Sequence, residues 1–340
     1  MVCAPLFSHL LLHRMFFCSI VMIRLYFKKL ILRDKTRSYY YNYSAVLSLN
    51  LCGRESGFTM KIGLVLEGGG LRGLYTAGVL DVLMEQGIQA DYVIGVSAGA
   101  GNGVSYVSGQ PGRNRRINTE YLKDKRYLSF SSFIKTKSLF GMDFIFDEIP
   151  NRLDPFDKEA FFASTCEFCA GVTDVRTGKP VYFGKDDLKQ DFTVLRASAS
   201  LPIFSPIVEY KQGKYLDGGM SDPIPAQRAL KDGCDRLIIV LTRERSYVKQ
   251  PEKFRAVYRR QLRDYPAMID ALDHRHELYN RTLETVRSLE KERKALVIAP
   301  QTPPEVSRFE RNKQKLLELC EKGRSDTLRL LPQITAFIQK

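Results

Sequence analysis

Histidine is scarce in this chain. His9, His13, His274 and His276 are the only four in 340 residues, so 260 consecutive residues contain none. Proton-transfer chemistry in the middle of the chain must use another base or fold one of these back. No run of eighteen uncharged apolar residues occurs, which argues against a conventional membrane-spanning helix. The seven cysteines are too few and too scattered for a disulfide scaffold, and their odd number fits a reducing compartment. A calcium loop of the D-x-[DN]-x-[DN]-G type is missing. Cys166-Glu-Phe-Cys169 is a lone C-x-x-C to which neither Cys234 nor Cys320 adds a second pair, so two buried or idle thiols are expected rather than zinc. Catalysis, if any, is expected to need no metal or other cofactor.

What is present is the composition of a globular protein, 44% hydrophobic and 26% charged, long enough for one large or two ordinary domains. The net charge is +14, and it is unevenly placed. Residues 1–59 carry Arg14, Arg24, Lys28, Lys29, Arg33, Lys35, Arg37 and Arg54 against Asp34 and Glu55, a net +6, leaving +8 for the rest. Two readings of this segment stay open. One is a basic apolar extension that contacts membrane, Leu6 to Phe27 being interrupted only by Arg14 and Arg24. The other is an over-extended start, since Met60 directly precedes a well-formed strand pattern.

From Met60 onward strand and helix patterns alternate. Lys61 to Leu66 is a short apolar run, followed after three glycines by Leu74, Ala77, Leu80 and Leu83 at helical spacing. Tyr92 to Val96 is a second strand, leading into a small-residue helix from Ala98 to Gly109. The alternation predicts a parallel sheet in an α/β domain. Val172–Val175 and Pro180–Phe183 read as a hairpin around Arg176-Thr177-Gly178. Further strands are expected at Arg236–Leu241 and Leu296–Ala299, with a long charged helical stretch over 252–293 between them. Residues 307–338 read as two helices broken near Gly323.

Three glycine motifs carry the chemistry. Gly68-Gly69-Gly70-Leu71-Arg72-Gly73 lies between the first strand and its helix. It matches G-x-G-x-x-G, but a dinucleotide site needs an acid at the end of the next strand, and Asp91 stands at its beginning. The same geometry makes an anion nest that can hold a phosphate or a developing oxyanion. Gly95-Val96-Ser97-Ala98-Gly99 sits between an apolar strand and a small-residue helix, as a nucleophile elbow requires. Asp217-Gly218-Gly219 alone would be an ordinary turn. Its setting, between Arg196-Ala-Ser-Ala-Ser-Leu-Pro202 and Asp222-Pro-Ile-Pro225, reads instead as a glycine- and proline-organised loop that is expected to be buried. A carboxylate can serve as a serine's base where partial burial raises its pKa.

In this order and spacing the three motifs resemble those of the patatin-like phospholipases, specifically bacterial members. The resemblance covers Gly68 to Gly219 directly and extends to about residue 300 through the flanking strands. It implies a three-layer α/β/α sandwich with a mostly parallel central sheet, and a Ser–Asp dyad that hydrolyses acyl esters of lipids. Ser97 would be the nucleophile and Asp217 the base. The Gly69 and Gly70 N–H groups would form the oxyanion hole, with Arg72 steadying the loop. Gly219 stands where alanine is common in the family. The expected organisation is an extension over 1–59, a catalytic domain over 60–300 and a C-terminal helical appendage over 301–340.

A Ser-Asp-His triad of Ser97, Asp217 and His274 would follow the chain order of α/β-hydrolases. His274 and His276 sit in a charged helical run, however, and read as solvated surface. The alternative from another class is a catalytically silent lipid- or nucleotide-binding module. Two basic clusters, Arg113 to Arg126 and Arg255 to Arg263, come without a nucleic-acid-binding motif, so a phospholipid or other lipid ester at a membrane surface is the expected partner rather than nucleic acid. The expected place of work is the cytoplasm, peripheral at the inner membrane face. Residues 110–165 read as a region that could gate entry.

Overall fold

In a computed structural model, which describes residues 60–129, 133 and 137–339, the apolar runs form the centre of an eight-stranded sheet. The extension over 1–59 lies outside the described residues. Strands β1 (Ile62–Leu66) and β2 (Tyr92–Val96) are buried along their whole length, because helices cover both faces of a parallel sheet. With β3 (Glu167–Asp174), β5 (Val208–Tyr210), β6 (Gly213–Asp217), β7 (Arg236–Val240) and β8 (Ala295–Ile298), the strand order is β5-β6-β3-β2-β1-β7-β8. The pairs β2–β3, β1–β2, β1–β7 and β7–β8 are parallel. The pairs β3–β6 and β5–β6 are antiparallel, and β4 (Pro180–Gly184) closes the expected hairpin with β3.

The two-residue period of the strands sorts their side chains between two apolar layers. Leu64, Leu66, Val93 and Ile238 enter one, with Leu74 and Leu80 of helix α1 (Gly73–Glu85) and Val104 of α2 (Ala98–Val107). Val65, Ile94, Leu237 and Ile239 enter the other, against Tyr279, Leu283 and Val286. The fold is therefore a mostly parallel sheet with flanking helices, as the alternation of patterns implies.

Two helical expectations are corrected. The stretch 252–293 is three helices, α3 (Arg255–Gln261), α4 (Pro266–Asp273) and α5 (Arg275–Lys291). Pro266 fits only at a helix start, and the chain leaves helical geometry again at His274. Residues 307–338 contain one helix, α6 (Lys313–Gln339), unbroken at Gly323. That glycine is a notch for packing. A Cβ at Gly323 would stand 2.1 Å from the Tyr75 carbonyl oxygen, and one at Gly78 would stand 2.0 Å from that of Cys320. α1 and α6 thus cross with their backbones touching, and the buried Tyr75 hydroxyl donates to Asp326 Oδ2 at 2.9 Å beside the crossing. The segment after residue 300 buries Leu316, Leu319, Cys320 and Ile334 in the same apolar layer as α1.

Candidate active site

Both predicted motif residues come together through β3. Val96, the last residue of β2, pairs with Gly171, while Asp217, the last residue of β6, pairs with Val172. β2 runs parallel to β3 and β6 runs against it, so the two strands meet end to end along one side of β3. Ser97 and Asp217 project where they meet. Separated by 120 positions in sequence, they become neighbours because two adjacent residues of one strand set both registers.

Ser97 has φ 55° and ψ −126° at the N-terminus of α2, a strained conformation for a residue with a side chain. The flanking glycines make room for this turn. A Cβ at Gly95 would lie 2.5 Å from the Gly99 carbonyl carbon, and one at Gly99 would lie 2.3 Å from the Leu66 carbonyl oxygen. The Ser97 N–H donates to Ser198 Oγ at 2.8 Å, and Ser198 Oγ–H donates to the Gly171 carbonyl at 2.7 Å. This buried bridge ties the elbow to β3. The segment around Ser198 is visible in the sequence as a small-residue run, but its hydroxyl's role is not.

Asp217 is 2% exposed. Its Oδ1 accepts from the Gly219 N–H at 2.8 Å, while Oδ2 is buried without a hydrogen-bond partner. Burial raises its pKa above the ordinary carboxylate range, opposed by the Ser97 hydroxyl, the Gly219 N–H and the charges of Arg275 and Arg308. The Ser97 hydroxyl makes no well-formed hydrogen bond to the carboxylate, although both groups line one compartment. Gly218 is required because a Cβ there would stand 2.2 Å from the Gly171 carbonyl oxygen. A Cβ at Gly219 would meet Asp217 Oδ1 at 3.1 Å and Arg275 Nη2 at 3.6 Å, side-chain atoms rather than backbone, so an alanine can be accommodated there.

The glycine loop is built from both ends of the chain. Gly70 has φ +57°, and a Cβ there would lie 2.7 Å from the Arg308 carbonyl oxygen, which accepts the Leu71 N–H at 3.1 Å. Neither the Gly69 nor the Gly70 N–H has an internal acceptor among the described residues, so both are free to serve a ligand. Gly68 and Gly73 pack close to the elbow; Cβ atoms on them would stand 3.0 and 2.9 Å from the Cβ atoms of Ser97 and Ala98. Glu67, 3% exposed, accepts from the Thr242 N–H at 2.5 Å and from the Tyr279 hydroxyl at 2.7 Å. Burial raises its pKa. Thr242 Oγ1–H in turn reaches the Gly68 carbonyl at 3.2 Å. Arg72 is buried with an unpartnered Nε, its pKa lowered to about 10 by burial and by the charges of Arg243 and Arg308.

Two compartments open on Ser97. One, about 150 Å³, is mainly apolar and lined by Leu74, Tyr127, Met142, Ile145, Phe156 and Leu195 among others. An apolar cavity of this size can hold a benzene ring, which sets the scale of a short acyl chain or the first part of a longer one. Part of its wall comes from the π-helical turn Phe144–Leu153, within the stretch read as a gate. The second compartment, about 40 Å³, is polar and contains Asp217 and several cationic side chains.

Arg275 and Arg308 are the site residues that sequence reasoning misses. Arg275 lies between His274, the histidine considered for a triad, and His276, and it is the residue that turns inward. Its Nε donates to the Gly219 carbonyl at 2.6 Å and its Nη1 contacts Glu252 at 2.5 Å. His274 is exposed beside Asp270, and the half-buried His276 lies near Glu277; neither lines either compartment. The basic clusters are partly neutralised within the protein. Arg113 and Arg116 share Asp154, and Arg255 and Arg259 share Asp273. Cys166 and Cys169 are buried thiols whose pKa values burial pushes up to about 12 and about 11.

The fold and the elbow define an α/β protein built around a serine held at a strand-to-helix turn. Residues 64–230 match the model of the patatin-like phospholipase family, and that part of the chain belongs to it. Residues 265–339 match a second model, a domain of unknown function (DUF6363), which spans α4, α5, β8 and α6. The uncharacterised protein YjjU of Escherichia coli (strain K12) is 31% identical over 58% of this chain and 57% of its own length. Lysophospholipase nte1 of Aspergillus terreus is 27% identical over 57% of this chain but only 12% of its own. The chain thus spans just over half of one relative and a small part of the other. The solved structure of VipD from Legionella pneumophila is similar over 81% of this chain and 67% of its own, with 13% identity and a TM-score of 0.42, too loose a likeness to bear on the chemistry.

Proposed function

We propose that this protein is a serine acyl hydrolase that cleaves carboxylic esters of lipids through Ser97 and Asp217. One observation carries the reading: a strained, half-buried serine abuts a buried carboxylate that has an unpartnered oxygen, at the joined ends of β2 and β6. The family description and the lysophospholipase name of the nte1 relatives support a lipid ester as substrate.

Ser97 Oγ attacks the acyl carbonyl carbon while Asp217 Oδ2 accepts its proton. The Gly69 and Gly70 N–H groups stabilise the tetrahedral oxyanion. Collapse expels the alcohol, which takes the proton from Asp217, and leaves Ser97 acylated. Water then attacks the acyl-enzyme, giving its proton to Asp217, and the fatty acid departs as Ser97 regains a proton. A carboxylate can do this without histidine because burial makes it a stronger base than a solvated one. The acyl chain occupies the apolar compartment.

A fluorophosphonate probe should label the protein and fail to label Ser97→Ala. Asp217→Asn should lower turnover of a p-nitrophenyl ester by about 10²–10⁴. Well-folded protein that takes no label would sink the hydrolase reading and favour the binding module. We also propose that it works in the cytoplasm, peripheral at the inner membrane face, in keeping with its free buried thiols at 166, 169, 234 and 320 and its positive charge. Fractionation of cells expressing the chain, with and without a salt wash, tests that placement.

A further inference from the structure

Strand pairing sets Ser97 against Asp217, because β3 carries both registers, but it does not set the glycine loop against Asp217. That loop follows β1, whose partners are β2 and β7, whereas Asp217 ends β6, whose partners are β3 and β5. The two strands share no neighbour in the sheet. Donors of an oxyanion hole work only where they are held against the developing charge. Fixing this loop relative to the base therefore takes contacts from outside the sheet.

Helix α5 supplies such contacts from one face. Arg275 and Tyr279 stand four positions apart, on successive turns of the same side. Arg275 Nε donates to the Gly219 carbonyl at 2.6 Å, and the Gly219 N–H is the donor to Asp217 Oδ1. One turn on, the Tyr279 hydroxyl donates to Glu67 Oε1 at 2.7 Å. Glu67 directly precedes the three glycines, and its other oxygen is also engaged. Oε2 accepts from the Thr242 N–H at 2.5 Å and lies 3.1 Å from Thr242 Oγ1. Thr242 in turn is the wall behind Gly69, where a Cβ would stand 2.8 Å from Oγ1. A buried carboxylate is costly unless donors fix it, so Glu67 is a joint whose position follows that of its donors. The Tyr279 ring is anchored independently of its hydroxyl, in the apolar layer with Leu283 and Val286 and edge-on to Tyr247. Further along the chain, the Arg308 carbonyl takes the Leu71 N–H at 3.1 Å.

Arg275, Tyr279 and Arg308 all fall within 265–339, the segment that matches the domain of unknown function, while Glu67, Leu71 and Gly219 fall within the family match at 64–230. We infer that residues 265–339 serve as a clamp that holds the glycine loop in register with Asp217. Tyr279 is the positioning residue for the glycine loop, acting through Glu67, and Arg275 is its counterpart for the Asp217 loop. The inference rests on the hydrolase reading for the chemistry and on the contacts of α5 for the clamp.

Tyr279→Phe tests it, since the ring stays and only the hydroxyl goes. In folded protein, checked by thermal melting, kcat for a p-nitrophenyl ester should fall about tenfold with KM little changed. The acid limb of kcat/KM should stay in place, whereas Arg275→Gln, on the base side, moves it. Glu67→Met removes the acceptor, so adding Tyr279→Phe to it should change kcat by less than about twofold. The inference is overturned by an unchanged kcat in Tyr279→Phe, by an acid limb that moves as in Arg275→Gln, or by effects of Tyr279→Phe and Glu67→Met that simply multiply. Hydrogen exchange reads the clamp without turnover. In Tyr279→Phe the Leu71 and Thr242 N–H groups should exchange about tenfold faster while those of β2 and β3 are unaffected. Exchange that is unchanged at both, or faster throughout the chain, also overturns it. If the unsubstituted protein takes no fluorophosphonate label, the hydrolase reading fails and the exchange alone decides whether the clamp exists. The exchange likewise replaces the double substitution if Glu67→Met does not fold.

Discussion

The bridge through Ser198 offers the sharpest test of how the elbow is held. Its hydroxyl accepts the Ser97 N–H at 2.8 Å and donates to the Gly171 carbonyl at 2.7 Å, and the residue is wholly buried. Ser198→Ala removes both bonds at once and leaves an N–H and a C=O without partners. Each such group costs about 1–3 kcal/mol when buried, so a loss of about 2–4 kcal/mol is expected, allowing some relaxation. For a domain of this size each kcal/mol lowers Tm by about 2–4 °C, so calorimetry should register the change clearly. A merely structural role would end there. A positioning role predicts more, because Ser97 is held at φ 55° and the released strain should let its hydroxyl swing away from Asp217. At a temperature where the variant is fully folded, kcat for a p-nitrophenyl ester should fall about tenfold or more while KM changes little, the signature of an interaction that matters in the transition state. Fluorophosphonate labelling should slow in parallel. Unchanged kcat in a folded, destabilised variant would refute the positioning role.

Asp217 should impose an acid limb on kcat/KM. The protonated carboxyl cannot accept the serine proton, so activity falls as pH drops through its pKa, and burial sets that midpoint above 3.8. The limb should move to higher pH in Arg275→Gln and in Arg308→Gln, since each removes a charge that stabilises the carboxylate; a limb at the ordinary value that ignores both changes would refute the assignment. For stability the sign is reversed. A raised carboxyl pKa means the folded state carries a penalty that accumulates as pH rises from the unfolded value through the folded one, so Asp217→Asn should raise Tm at pH 7. Gly218→Ala should destabilise by about 1–3 kcal/mol or prevent folding, its Cβ meeting a backbone oxygen, whereas Gly219→Ala should retain activity; equal behaviour of the two in melting and turnover would contradict the packing argument. Gly323→Ala should destabilise by a similar amount, about 1–3 kcal/mol, by forcing α6 off α1. A normal melting temperature would mean the two helices can separate freely.

Much of the centre of the fold is legible in the sequence. The buried strands at Ile62–Leu66 and Tyr92–Val96, the hairpin of β3 and β4 and the elbow at Ser97 follow from apolar runs, glycine spacing and turn residues, all of which act within a few positions. The triplet of motifs is equally local, since each needs its own glycines for its own backbone crowding or torsion. Read alone, the helical segments mislead where packing overrides propensity. Gly323 looks like a break, but the close passage of Tyr75 makes it a notch in a continuous helix.

By itself, then, the sequence determined the class of fold and singled out Ser97, Asp217 and the loop of glycines as candidates, because strand period and turn chemistry are short-range properties. Only the tertiary structure decided that Ser97 and Asp217 face one another, since that depends on β3 pairing Gly171 with one strand end and Val172 with the other. It also decided which charges matter. Among fifty-two lysines and arginines, nothing local marks Arg243, Lys249, Arg275 and Arg308. They become a group because the chain after β7 folds back over the glycine loop, where a carbonyl of Arg308 holds Leu71. Charge acts through space and burial rather than along the sequence, and so its role appears only once the chain is folded.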